Sequence, residues 1–448
     1  MSQADVQPTV PERVYSPARL FFSTTDRRGV IDMVNSTFVD LSRYEVPELL
    51  GKPHNIVRHP DMPAGVFHLV WEALLAGHTA SAYIVNLAQD GAPYRTLAVV
   101  SPLGEGFLSV RSAVTREDLW GPVAQVYAAT RAEERRLSAE GMPRAEVARA
   151  GAAFLLERVH ELGFDSYAEL MGEVLPAEMQ ERRRVAPPKA PLVARGERLY
   201  DLVKALLEID AEIAQLVAQH DEAVEVAEVL GTAGDAIAVT LHDLYDGALQ
   251  AATASEESDA KVLTTSARAA LDLVTQVEAA LAPLGDMLAT ERVALMELQA
   301  ALAEVAMHAD MSTAFAGEVA TGAAVGNPVV GMELLGLAIG ASVRRLATLQ
   351  ERAADGLGDV AHEISRAQVN LADFQRALTN WRTMVLRFGQ SAAMGDALSV
   401  VDARLAAGLR DMGALTELAE RCRSLAQAQD LNPLARAATD FVAASRAL

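Results

Sequence analysis

The first quarter of the chain alternates short apolar runs with residues that favour turns. Five runs are rich in β-branched or aromatic residues and are bounded by Gly, Asn, Asp or Pro, a pattern typical of β-strands. They predict strands at Leu20–Thr24, Val30–Val34, Ala80–Leu87, Tyr94–Val100 and Gly106–Ser112. Asp90-Gly91 predicts a hairpin turn between the third and fourth strands.

The 45 residues between the second and third predicted strands have the pattern of short helices instead. The clearest of these helices spans Pro63–Ala76, because Pro63 can begin it and Gly77 can end it. The order of two strands, helices and three strands predicts an α+β domain, in which a five-stranded antiparallel sheet carries helices on one face. The gap between such a sheet and its helices can hold a ligand.

Beyond Thr115 the apolar residues recur at spacings of three and four, so we expect helices throughout the rest of the chain. The first three are predicted at Arg116–Glu140, Arg144–Leu162 and Ser166–Glu173. The basic, proline-rich sequence ERRRVAPPKAP at Glu181–Pro191 is interpreted as part of a linker. From Glu197 onward an apolar seam close to coiled-coil spacing predicts long paired helices.

These patterns predict five segments along the chain. They are an N-terminal extension at 1–18, an α+β domain at 19–115, a helical connector at 116–180, a linker at 181–196 and a helical bundle at 197–448. The distribution of aromatic residues supports a separate core for the α+β domain, since twelve of the 22 lie between Tyr15 and Tyr127.

The formal net charge of −21 disfavours nucleic acid and anionic lipid as partners. Cys422 is the only cysteine, which excludes an intrachain disulfide and a multi-cysteine metal site, and the N-terminus lacks the pattern of a secretory signal. We therefore expect a cytoplasmic protein. No membrane insertion is expected either, because the most apolar stretch, Val319–Val343, has an uncharged run of only 14 residues, whereas a bilayer requires ~20.

The most unusual segment is Glu48–Gly77, which gathers polar residues in a loop between helices. Polar side chains on a rigid loop suggest a functional site. A purely structural role stays open on this pattern alone, in which Arg58 and Asp61 form a local ion pair and His54 and His59 cap helices.

The sequence PHNIVRHPDMP at Pro53–Pro63 nevertheless resembles the flavin-binding PAS domain of the bacterial aerotaxis receptor family. The resemblance covers roughly Leu20–Ala113. Four flanking motifs occur in the order found in that family, namely STTD at Ser23–Asp26, N-x-x-F at Asn35–Phe38, S-x-Y at Ser42–Tyr44 and the turn at Asn86–Gly91.

The resemblance implies that the PAS domain binds FAD without a covalent bond. The residues that it implies for binding are Arg58, His59 and Asp61 of the RHPD motif, Trp71 on the following helix, and the pocket asparagines Asn35 and Asn86. These residue types suit the ligand. An arginine can bind a pyrophosphate with paired donors, a tryptophan can pack on a flat ring, and an amide can both donate to the flavin edge and accept from it.

The resemblance also implies a function, which is to sense redox state or oxygen and to relay that state to the helical region. Residues 258–390 resemble a degenerate chemoreceptor signalling hairpin, with antiparallel helices at Ser258–Ala323 and Val329–Phe388 and Asn327-Pro328 near its tip. The resemblance implies a homodimer, with the chemotaxis kinase and its coupling protein as partners. The glutamate-rich tip sequence of such receptors is not recognisable here.

Two other functions share the same fold. One is a PAS interaction module without a cofactor, and the other is a haem-based gas sensor with an axial ligand among His54, His59, His68 and His78. A light-sensing flavin domain is excluded, because its photoadduct needs a nearby cysteine. No nucleophile elbow, phosphate loop or metal-binding H-E-x-x-H motif stands out, so we do not expect an enzyme.

Overall fold

The computed structural model describes residues 10–186, 197–256, 260–427 and 429–448. The α+β domain contains an antiparallel sheet in the order β2-β1-β5-β4-β3, as the sequence predicts. Its strands are β1 (Phe21–Asp26), β2 (Ile31–Val34), β3 (Ala80–Leu87), β4 (Pro93–Leu103) and β5 (Gly106–Ala113). The turn at Asp90-Gly91 lies between β3 and β4, and Gly91 has the positive φ of 86° that such a turn favours.

Helices account for most of the remaining chain. In the α+β domain and the segment after it they are α1 (Ser36–Ser42), α2 (Val46–Leu49), α3 (Ala64–Leu75), α4 (Glu117–Ala139), α5 (Arg144–Glu161) and α6 (Tyr167–Val185), with a 3-10 helix at His54–Val57. The later helices are α7 (Glu197–Glu256), α8 (Lys261–Leu281), α9 (Leu284–Thr321), α10 (Pro328–Arg387), α11 (Gly395–Leu425) and α12 (Asn432–Arg446).

The chain divides into two compact units, and each unit is made of stretches that are separate in the sequence. The first contains the chain up to Ala218 together with Gln299–Ala347 and Asp430–Leu448. The second contains Gln219–Leu298 and Thr348–Gln429. The helical region predicted from residue 197 is therefore shared between the two units.

The structure corrects the predicted start of the linker. Helix α6 does not end near Glu173 but continues through the basic residues to Val185. It does so because Arg182 is buried, where its guanidinium forms an ion pair with Asp310 and its Nε donates to the carbonyl of Pro17 at 2.9 Å. Residues 187–196 of the predicted linker lie outside the described residues.

The first predicted hairpin helix, Ser258–Ala323, is wrong as a single element. It is divided into α8 and α9 at Ala282-Pro283, since a proline cannot donate to the helix before it, and residues 257–259 lie outside the described residues. The turn before α10 begins at Gly322, with a φ of 76°. Among the described helices, none has the length and apolar character needed to cross a membrane.

Helix α3 is fixed on the inner face of the sheet by a buried carboxylate. Glu134 of α4 accepts hydrogen bonds from the backbone N–H groups of Ala64 at 2.9 Å and Gly65 at 2.8 Å, the first residues of α3. These groups have no partner within the helix, so the carboxylate caps it. Gly65 is required for the close approach of α5, because a Cβ there would lie 2.5 Å from the backbone nitrogen of Ala152.

The outer face of the sheet packs against helices that follow it in the chain. Phe22 of β1 contacts Phe315 of α9 edge-to-face, with ring centroids 5.1 Å apart. Tyr83 of β3 donates from its hydroxyl to Glu178 of α6 at 2.7 Å. Strand side chains alternate between faces, so this packing leaves the opposite face of the same strands to α3 and the loop before it.

Candidate functional site

A cavity of about 280 Å³ lies between the inner face of the sheet and α3. The 3-10 helix and the loop after it form one side of the cavity, α3 forms another, and strands β3, β4 and β5 form its floor. The polar and aromatic residues that line it include His54, Asn55, Arg58, Phe67, Trp71, Asn86, Ser109 and Arg111. No aspartate or glutamate is among the lining residues.

Three of the six residues implied for FAD binding line this cavity, and they are Arg58, Trp71 and Asn86. The Arg58 guanidinium lies 3.9 Å from the ring centroid of Phe67, and its Nη2 donates to the carbonyl of Met62 at 2.8 Å. Burial lowers the pKa of Arg58 to about 10, so its side chain still carries a positive charge at neutral pH.

Trp71 and Asn86 face the cavity from opposite sides. The Trp71 ring packs edge-to-face against Phe107, with centroids 5.4 Å apart, and the absence of a side chain at Gly29 leaves room for it. Asn86 is 1% exposed, and its backbone pairs with that of Arg58 in an isolated antiparallel bridge. This bridge ties the RHPD loop to β3 and so brings the three residues together.

Asn35, His59 and Asp61 are not among the residues that line the cavity. The Oδ1 atom of Asn35 accepts from the backbone N–H of Phe38 at 3.3 Å, which caps α1. His59 accepts on Nδ1 from the backbone N–H of Asp61 at 3.1 Å. The ion pair between Arg58 and Asp61 that a purely structural loop would contain does not form, and the Asp61 carboxylate pairs with Arg135 instead.

The structure adds His54, Ser109 and Arg111 to the cavity. The Nη1 atom of Arg111 lies 3.0 Å from Nε2 of His54, and a guanidinium can only donate, so Nε2 accepts. Burial, together with the charge of Arg111, holds the pKa of His54 well below its usual value. The signal for these positions is the alternation in β5, which places Ser109 and Arg111 on the same face as Phe107.

Two polar atoms of residues that line the cavity have no hydrogen-bond partner in the described part of the chain. They are Oγ of Ser109 and Nε of Arg111, and both are buried. A buried polar group without a partner costs about 1–3 kcal/mol. Since each of these atoms can donate a hydrogen bond, the cavity suits a ligand that presents acceptors.

The low pKa of His54 predicts a dependence of stability on pH. In the unfolded chain His54 takes up a proton near its usual pKa, whereas in the folded protein it stays neutral, so folding stability falls as the pH drops below ~6.5. One histidine can change the free energy of unfolding by at most ~1.4 kcal/mol for each pH unit. His54→Gln should reduce the slope of unfolding free energy against pH, measured by chemical denaturation, relative to the unaltered protein. An equal slope in the variant and the unaltered protein would contradict the assignment.

A profile described as the PAS fold matches residues 12–108. These residues form a PAS domain. Over 102 residues the chain is 38% identical to the aerotaxis receptor of Escherichia coli strain K12, which confirms the resemblance found in the sequence. The match covers 22% of this chain and 20% of that receptor, so the chain spans about a fifth of the relative's length.

Solved structures of PAS and LOV domains are also similar to the PAS domain. The light-state structure of the blue-light photoreceptor Aureochrome1 LOV is 24% identical in sequence. The match covers 22% of this chain and 82% of the photoreceptor chain, with a TM-score of 0.21. A PAS domain from Colwellia psychrerythraea is 23% identical, and the match covers 22% of this chain and 88% of that domain, with a TM-score of 0.19. The Rhodobacter sphaeroides LOV protein is 19% identical, with coverages of 30% and 86% and a TM-score of 0.21.

Proposed function

We propose that the PAS domain binds FAD non-covalently in the cavity between the sheet and α3, and that the protein senses redox state or oxygen through it. The observation that carries this proposal is the pair of buried donors, on Ser109 and Arg111, that have no partner among the described residues and belong to side chains lining the cavity. The edge of a flavin ring carries several acceptors, and the 38% identity to an aerotaxis receptor supports the same ligand class.

The size of the cavity and its lining fit the ring of the flavin better than the whole dinucleotide. Ligand sites begin near ~300 Å³, and the cavity measures about 280 Å³. Phe67 and Trp71 line it from α3 with apolar, aromatic surface, and Arg58 supplies charge-assisted donors for an anionic group. When bound, a flavin supplies reversible uptake of electrons from a cellular electron donor and of protons from water.

The amide of Asn86 is suited to respond to a change at the ring. It can donate through Nδ2 or accept through Oδ1, so a proton gained at the flavin edge reverses the hydrogen bond that this side chain prefers. Asn86 lies on β3, three residues from Tyr83, whose hydroxyl donates to Glu178 of α6. A rearrangement of the amide would therefore act on a strand that is bonded to a helix.

The outer face of the PAS domain also contacts residues 299–347 of the helical region. Glu318 of α9 accepts from Nδ2 of Asn35 at 2.7 Å, from the backbone N–H of Ser36 at 3.0 Å and from the hydroxyl of Thr37 at 3.2 Å. Asn35 thus acts as a docking residue between the PAS domain and α9. These contacts support a relay in which the sheet biases two packings of the helices.

Glu318→Ala should loosen this docking. It removes three hydrogen bonds to one carboxylate, which contribute about 1–3 kcal/mol together. Hydrogen–deuterium exchange should become faster at the first turn of α1, where the Ser36 amide loses its acceptor. Glu333→Ala is the matched control, because Glu333 pairs with the exposed Arg446 and should leave α1 unchanged. Unchanged exchange in Glu318→Ala would count against the relay.

The proposed ligand is tested by the absorption spectrum of the purified protein before and after incubation with FAD. We expect the two visible bands of an oxidised flavin, retained after gel filtration. A single sharp haem band would instead support the gas sensor, although only one of the four candidate histidines, His54, lines the cavity, and its Nε2 already accepts from Arg111. A protein without any bound chromophore after incubation would support the cofactor-free interaction module.

We further propose that the output is a protein interaction. The helical region would act as a homodimer that contacts the chemotaxis kinase and its coupling protein. Light scattering during gel filtration tests the dimer, and co-purification with the two partner proteins in oxidised and reduced buffer tests the contact. A monomer that binds neither protein would contradict this part of the proposal.

A further inference from the structure

Arg111 is an arginine at the centre of the PAS sheet. It lies on β5, the middle strand, opposite Phe21 of β1 and Ala98 of β4. Its side chain is 6% exposed and lines the cavity. In the described part of the chain no carboxylate lies within ion-pair distance of it, although the protein has 60 acidic residues. A buried charge without an opposite charge is costly, so this arrangement requires a reason.

The neighbours of Arg111 orient the guanidinium without neutralising it. Nε2 of His54 lies 3.0 Å from Nη1 of Arg111 and 3.0 Å from Oγ of Ser23. The His54 ring also packs against Phe38, with centroids 5.8 Å apart. Because the imidazole is neutral and accepts from the arginine, the positive charge remains available to the cavity. An aspartate or glutamate at position 54 would hold the arginine equally well but would cancel that charge.

The guanidinium also keeps a free donor. Among the described residues, Nε of Arg111 has no hydrogen-bond partner, and Oγ of Ser109, two residues earlier on the same face of β5, has none either. One strand therefore brings a positive charge and two free donors to a cavity whose wall, as far as the structure describes the chain, contains no acidic residue. This combination favours a ligand that carries a negative charge at the floor of the cavity.

We infer that Arg111 binds the reduced, anionic form of the flavin ring more tightly than the oxidised, neutral form. This inference rests on the proposed function. It adds that the site prefers the negatively charged redox state of the flavin. Two electrons from dithionite, the reductant in the experiment below, and one proton from water would leave a single negative charge on the ring, which the guanidinium of Arg111 would neutralise. Arg111 is thus a positioning and binding residue that sets the redox poise of the site, and His54 orients it.

The experiment compares binding of oxidised and reduced FAD by the full chain, with dithionite as the reductant. For the unaltered protein we expect reduced FAD to bind at least tenfold more tightly, which places the potential of bound FAD about 30 mV or more above that of free FAD. A potential equal to that of free FAD, or lower, overturns the inference while flavin binding itself stands. No binding of either form would overturn the proposed function as well.

Variants then assign the effect to Arg111. Arg111→Gln should lower the ratio of the affinities for reduced and oxidised FAD about tenfold. Arg111→Lys should retain most of this ratio, because the positive charge is kept. Arg95→Gln is the matched control, since Arg95 lies on the neighbouring strand β4 but pairs with Glu12 and Glu117 outside the cavity. Circular dichroism confirms folding of each variant. Equal preference in Arg111→Gln, Arg95→Gln and the unaltered protein would overturn the inference.

Discussion

Arg58→Ala is expected to weaken binding of FAD by about 10- to 100-fold, whereas Asp61→Ala is expected to change it less than about threefold. Arg58 lines the cavity, and a hydrogen bond to a charged group contributes about 1.5–3 kcal/mol. Asp61 is exposed and pairs with Arg135, so its removal breaks a surface ion pair, which contributes ~1 kcal/mol or less. The two neighbours in one motif should therefore behave differently.

Titration of each variant with FAD, followed by quenching of flavin fluorescence, measures the two affinities. Arg135→Ala is the control for Asp61, because it breaks the same surface pair from the other side. If Asp61 acts only through that pair, Asp61→Ala and Arg135→Ala should give the same small change. A loss in Asp61→Ala as large as that in Arg58→Ala would contradict this assignment and would show that the RHPD motif acts as one unit, as its resemblance implies.

The PAS fold could be predicted from the sequence because its signals are local. Each strand has an alternating or β-branched run, and the hairpin at Asp90-Gly91 has the residues that its turn requires. The RHPD loop could be located for the same reason. Whether a side chain lines the cavity depends instead on the face it occupies, and that is decided by the bridge between Arg58 and Asn86, which are far apart in sequence.

The residues that the sequence did not indicate are polar side chains on the inner face of the sheet. The alternation along β5 places Ser109 and Arg111 on the same face as Phe107, but the sequence does not show whether that face is turned to a cavity or to solvent. The sequence suggests only a helix cap or a haem ligand for His54, since its contact with Arg111 joins residues 57 positions apart. The pairing of the strands places Ser109 and Arg111 at the cavity, and the contact with Arg111 brings His54 to it.

The contact between the PAS domain and α9 is still less accessible to sequence reasoning. Asn35 and Glu318 are 283 residues apart, and the carboxylate that docks on α1 lies in a helix whose apolar pattern is ordinary. The interpretation of Glu181–Pro191 as a linker was wrong at its start for a related reason. Arg182 is basic and precedes prolines, but its buried partner, Asp310, lies in a distant helix.

That partner leads to the largest effect we expect on stability. Asp310→Ala should lower the free energy of unfolding of the first compact unit by about 3–5 kcal/mol. The side chains of Arg182 and Asp310 are 7% and 3% exposed, so removing the carboxylate leaves the guanidinium buried, and its remaining bond to the Pro17 carbonyl cannot neutralise it. Asp310→Asn should cost less than Asp310→Ala, because an amide oxygen can still accept from Arg182.

Chemical denaturation followed by tryptophan fluorescence can isolate this unit. Trp71 and Trp120 lie in the first compact unit and Trp381 in the second, so a Trp381→Phe background reports on the first alone. Glu181→Ala on the same helix α6 is the control, since its pair with the exposed Arg184 should contribute less than ~1 kcal/mol. A loss in Asp310→Ala no larger than that of this control would show that the buried pair does not hold α6 to α9.

The double variant Arg182→Met with Asp310→Leu separates the charge from the packing. Replacing both partners removes the uncompensated charge and keeps apolar volume, so most of the stability lost in Asp310→Ala should return. If the relay depends only on α6 and α9 remaining packed together, the double variant should also keep the exchange rate of the α1 amides that Glu318 protects. Recovered stability with faster exchange at α1 would instead indicate that the ion pair fixes the position of α9, because the two apolar side chains that replace it can pack in more than one arrangement.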